Sequence, residues 1–150
     1  MVSKSTILRD VLFFIKNDLN NNITDPISSS RSSKSKFVLT SYPTRPVQYP
    51  IITLKVLNLE AIRAGMQSTQ QDITITLEIR VWARNEKEKD NIYDDVMDRL
   101  FNIQFISSGS VENAIHDLIT DNPTEIDEPG EPGGKVIKSR LVNIQYKFWN

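Results

Sequence analysis

One stretch, Gln71 to Phe105, constrains the fold more than any other, because a long alternating run gives way abruptly to a helical one. Ile73, Ile75, Leu77, Ile79, Val81 and Ala83 fall on one side of an extended backbone, and Thr74, Thr76, Glu78, Arg80 and Trp82 on the other. Successive side chains of a strand point to opposite faces, so period two means a strand with one buried face. At Asn85 the period changes. Asn85 followed by Glu88 has the form of a helix cap, in which side chains satisfy the first free backbone N–H groups. Beyond it, Ile92, Val96, Leu100 and Ile103, flanked by Tyr93, Met97 and Phe101, make an apolar stripe, while Asp90, Asp94, Asp95 and Asp98 fall largely elsewhere. A helix laid on a sheet is therefore the expected core.

The other elements arrange themselves around this unit. Ile7, Leu8, Val11, Leu12, Ile15 and Leu19 recur at helical spacing and predict a first amphipathic helix over 4–19, with Ser3 or Ser5 as its cap and Asn20–Asn22 with Asp25-Pro26 as its stop. Phe37 to Tyr42 reads as a short strand ended by Pro43 and Pro46. Pro50 opens a second strand, where Ile51, Ile52, Leu54, Val56 and Leu57 are too uniformly apolar for one-sided burial, which suggests burial on both faces or an interface with another subunit. Asn58 to Gln71 reads as a long exposed connection, Val111 to Ile119 as a short helix, and Val136 to Trp149 as a last alternating strand. Three stretches are too polar or too rich in turn formers to build a core and are expected as mobile loops: 28–36, basic, with Arg31, Lys34 and Lys36; 62–71; and 121–134, acidic, with Glu125, Asp127, Glu128 and Glu131. The order predicts a single α+β domain over 1–150, with a mostly antiparallel sheet of about four strands and helices packed on one face.

At 150 residues and 39% hydrophobic composition the chain can bury one core but not two. Lys plus Arg (18) nearly balances Asp plus Glu (19), so no positive field recruits nucleic acid or an anionic membrane. The N-terminal apolar run is cut by Arg9, Asp10, Lys16 and Asp18, which argues against a signal peptide or a membrane span. With no cysteine there is no disulfide, thiolate metal site or cysteine nucleophile. His116 stands alone, without a metal-ligand spacing, and the helical aspartates do not form a calcium-binding loop. No phosphate loop, dinucleotide fingerprint or nucleophile elbow is present. The expectation is a non-enzyme without cofactor or metal, whose partners are proteins.

Tryptophan and arginine are frequent anchors of protein interfaces. Trp82 and Trp149 fall on the polar sides of their strands, and the charged or loop residues Arg31, Lys34, Arg63, Met66, Glu125 and Asp127 join them as candidate contacts. A capped first helix, the Tyr49-Pro50-Ile51-Ile52 entry into a strand, a loop with Gly65, a strand ending Val81-Trp82-Ala83 and a helix carrying the Val96 to Leu100 stripe together resemble the tail terminator (tail completion) proteins of long-tailed bacteriophages. The resemblance spans most of the chain and implies an α+β fold, a ring of six subunits capping the tail tube, and contact of the other ring face with the head connector. It implies a virion protein of the tail or neck, made in the host cytoplasm, whose partners are itself, the tail tube protein and the head-tail connector protein. Another neck or adaptor protein, or a small monomeric or dimeric binding module, is the alternative.

Overall fold

The computed structural model describes residues 7–33, 35–44, 47–63, 65–66, 71–103, 115–120, 122–128 and 137–149. We number its elements α1 (Ile7–Asn22), β1 (Val38–Leu39), β2 (Ile51–Arg63), β3 (Gln71–Ala83), α2 (Glu86–Ile103), β4 (Ile115–Thr120), β5 (Thr124–Glu128) and β6 (Ile137–Trp149). The alternation of the central stretch becomes β3, the middle of an α+β domain. Its Ile73, Ile75, Leu77, Ile79, Val81 and Ala83 are all buried. Asn85 caps α2 by accepting the Glu88 N–H at 2.9 Å, while the Glu88 carboxylate turns back to the Arg84 N–H at 3.1 Å.

Both helices lie on one face of the sheet, α1 over β1 and β2 and α2 over β3 and β6. The stripe Val11, Ile15, Leu19 meets Ile52 and Leu54, and Ile92, Val96 and Leu100 meet the β3 row and Val142, in one continuous core. Each fully buried Ile or Leu contributes about 2 kcal/mol by leaving water. The two helices are also tied by a forked ion pair, Arg99 donating to both Asp18 oxygens at 2.6 and 2.5 Å.

Strand order is β1-β2-β3-β6, and β4 and β5 then share the far side of β6, β4 along Ile144–Phe148 and β5 along Ile137–Leu141. Among the described residues the sheet thus has six strands but is five wide, against the expected four. Every pairing except β1 with β2 is antiparallel.

Three further expectations are corrected. Residues 115–119, with His116, are strand and not helix. Ile115, Ile119 and Thr120 suit a ladder, and pairing with β6 outweighs the helical spacing of Ile115 and Leu118. Within the acidic tract, 124–128 is β5, because Glu125 stands opposite Arg140 and Asp127 opposite Lys138 in register, cross-strand pairs of opposite charge. Finally, β2 does not end near Leu57. A one-residue bulge there shifts the register, and the ladder with β3 continues to Arg63 opposite Gln71. The double-faced burial expected for β2 holds at its start, where Ile51 and Ile52 are both fully buried.

Candidate subunit interface

Charges that the sequence offers to partners are largely used inside the subunit. Arg31 lies in the turn after α1. Its guanidinium forks onto Asp25 at 2.5 and 2.9 Å, donates to the Gln48 and Pro50 carbonyls at 2.6 Å each, and stacks over the Phe37 ring at 5.4 Å. Only 6% of its side chain is exposed. Burial raises the Asp25 pKa, but the hydrogen bonds from Arg31 and the Ile27 N–H, with the Arg31 charge, outweigh it and leave the carboxyl below its ordinary value. Arg31 is therefore a lock between the 25–31 turn and the entry to β2. Lys34 lies outside the described residues.

The acidic side is committed likewise. Glu125 is bonded by Arg140 and lies 3.3 Å from Lys89, and Arg140 also reaches Asp90 at 3.0 Å while stacking over Tyr93 at 4.8 Å. Lys89 is bonded to Glu86, and Lys138 approaches Glu86 at 3.4 Å. These residues clamp the first turns of α2 to β5 and β6. The Glu125 carboxyl is held below its usual range first by the Arg140 hydrogen bond and then by Lys89, and Glu86 first by Lys89. Burial pulls the Lys89 pKa down, yet its bonds to Glu86 and Glu125 carry it above the ordinary lysine value. Asp127 belongs to β5 opposite Lys138; its side chain lies outside the description.

On the helix-free face Trp82 is covered rather than presented. Arg80 stacks on it at 3.8 Å, Tyr42 lies against it at 4.9 Å, and its Nε1–H donates to Thr53 Oγ1 at 3.0 Å. Arg80 also donates to Ser139 Oγ at 2.9 Å, and that hydroxyl donates to the Ile126 carbonyl at 3.0 Å, fastening β5. Only 7% of Trp82 is exposed. Register puts Trp82 opposite Ser139 and Asp72 opposite Trp149, so the two tryptophan positions are at opposite ends of the sheet. Trp149 has its backbone in β6 and its side chain outside the description.

Arg63 and Met66 are neighbours in sequence at the far end of β2. Arg63 is exposed at the end of β2, and Met66 is 99% exposed. Ile62 beside them is 61% exposed and Leu57 at the bulge 43%. Ile62 is an interface candidate that sequence reading missed, because the residues after Leu57 read as loop, whereas Leu57 belongs to the apolar run already marked as a possible interface.

The larger uncommitted feature is the backbone itself. β1 pairs only with Ile52 and Thr53, so among the described residues β2 is unpaired from Leu54 to Arg63 on the side away from β3. Ile52 N–H donates to Phe37 O at 2.8 Å, which fixes the outward-pointing set. Alternation assigns Leu54 and Val56 to that set, and the bulge shifts the phase to Leu59, Ala61 and Arg63. β4 and β5 form the opposite margin, with no strand beyond them among the described residues.

An open groove of about 420 Å³ lies between the 24–26 turn and the start of α2, lined by Thr24, Pro26, Asn85, Lys87, Glu88, Asn91, Ile92 and Asp95. Among the described residues no cluster of acidic or histidine side chains is arranged to hold a metal, and no helix is long and apolar enough to cross a membrane. No protein-family model matches the chain, and no curated protein does.

Proposed function

We propose that this chain is a structural subunit of a viral tail, a tail terminator that assembles into a ring on the end of the tail tube and joins it to the head connector. The observation that carries the reading is a sheet that, among the described residues, has an unpaired strand at each margin. β2 runs parallel to β6, and β4 and β5 run antiparallel to both. Rotation about an axis along the strands preserves their direction, so β2 of one subunit meets β4 and β5 of the next antiparallel. That is a head-to-tail contact of the kind that closes rings. The element pattern shared with tail terminators supplies the particular role, and the six-fold number comes from that resemblance alone. The exposed Met66 turn lies at one end of the strands, where a ring of this geometry presents a face to another protein.

Electron microscopy of tail tubes, assembled from the tube protein of the same virus and mixed with this protein, tests the reading. Rings at tube ends, with tube length fixed after addition, are expected. A chain that leaves tube ends bare and growing, while remaining folded, overturns it.

A further inference from the structure

A ring closed about an axis along the strands must bend the sheet, and the two faces of this domain do not accept the bend equally. The helices lie on one face, α1 over β1 and β2 and α2 over β3 and β6, so their axes stand two strand columns apart, about 10 Å. They already touch, since Arg99 forks onto Asp18 across them at 2.6 and 2.5 Å. The next subunit's helix can approach no closer than about 8 Å. Each subunit therefore needs about 18 Å of the helix layer. Beneath it lie four strand columns, or five with β1, about 19–24 Å of sheet. Flat, the two layers match.

Closure removes the match on one side only. The helix axes lie about 10 Å from the sheet, so a helix layer turned inward is shorter in circumference than the sheet by about 63 Å at any radius. In a ring of six that is about 10 Å per subunit, and about 9–14 Å is left where about 18 Å is needed. Tilting the strands by about 40°, as closed sheets do, cuts the loss to about 8 Å, and the shortfall remains. Smaller rings are worse. Turned outward, the helix layer gains the same length and both helices fit.

The composition of the helix-free face points the same way. Across its centre Thr76 stands between Asn58 and Gln145, and Glu78 between Lys55 and Asn143, all in register. Hydroxyl, amides and opposite charges fill these rows, and none of the exposed large apolar side chains belongs to them. Protein contacts are anchored by apolar and aromatic groups. These rows offer none, whereas Leu8, Phe13 and Phe101 are exposed on the helices.

We propose, on the strength of the ring reading, that the helix-free face of the sheet lines the bore and that α1 and α2 form the outer wall. The bore is then a wetted surface of hydroxyls, amides and balanced charge, without an anchor for a protein segment and without a cationic patch to hold a polyanion. It is a passage and not a binding site. The acidic side chains Asp94, Asp95 and Asp98, exposed on α2, stand on the outer wall.

Distances between spin labels on rings bound to tail tubes test the assignment. The chain has no cysteine, so Thr76→Cys and Asp94→Cys each give one labelled position per subunit. Thr76 is half-buried on the helix-free face and Asp94 exposed on α2. Nearest-neighbour distance scales with distance from the ring axis, so it should be roughly half or less at Thr76 of its value at Asp94. Lys55→Cys and Asn91→Cys repeat the comparison at two exposed positions. Equal distances, or a longer one on the helix-free face, overturn the orientation and leave the ring standing. A folded, labelled chain that shows no distance between subunits on the tubes removes the ring, and the orientation with it.

Discussion

Arg31→Leu should destabilise the domain although the residue sits in a serine-rich, charged segment. Removing the guanidinium leaves Asp25, whose side chain is 14% exposed, without its fork, and leaves the part-buried Pro50 carbonyl without a donor. Breaking a fully buried ion pair costs about 3–5 kcal/mol. Asp25 keeps the Ile27 N–H at 3.1 Å and some access to water, so about 2 kcal/mol is appropriate here. The Pro50 carbonyl adds about 1 kcal/mol. The Gln48 bond is exposed and water replaces it. A total near 3 kcal/mol corresponds to a melting temperature lower by roughly 6–12 °C for a chain of this size. Arg31→Lys retains the charge but not the fork and should recover less than half of the loss. Calorimetry of the single variants and of Asp25→Ala with Arg31→Ala gives the coupling directly. A variant that melts with the wild type would refute the lock.

Leu77→Asp should unfold the domain and Thr76→Asp should not, since Leu77 is fully buried and Thr76 lies half-buried on the helix-free face; equal urea midpoints would refute the register. Lys89→Met keeps the packing of the buried stem but removes one of the three cations, with Arg140 and Lys138, that serve Glu86, Asp90 and Glu125, and should cost about 1–2 kcal/mol in urea titration, the difference shrinking in high salt as carboxylate repulsion is screened. Asp25 and Glu88 both titrate below their ordinary values in the folded chain. Their contribution is therefore full above the unfolded carboxylate range, about pH 4, and is lost as pH falls through the lower folded values. The urea midpoint should drop below about pH 4, and Asp25→Asn should flatten part of that drop; a midpoint unchanged through the acid range would contradict it.

The sequence was most legible where local pattern and tertiary burial agree. β3 and α2 could be read residue by residue because a single face of each is buried, and that leaves a period. β5 was legible in principle: Thr124, Ile126 and Glu128 alternate with Glu125 and Asp127, and a basic segment, Lys138 to Arg140, is available to oppose them. Proline, glycine and net acidity concealed it, since composition cannot register a charge that is neutralised across a strand. β4 was misread because Ile115 and Leu118 suit a helix equally well at so short a length, and the partner that decides lies in β6. The far half of β2 was lost to the bulge, which breaks the alternation at the point where the reading stopped.

The candidate interface was less legible for a related reason. Long charged side chains find partners within their own fold when register supplies them, so Arg31, Glu125 and Trp82 read as available in sequence and are occupied in the structure. What stays uncommitted is backbone, which no residue type announces.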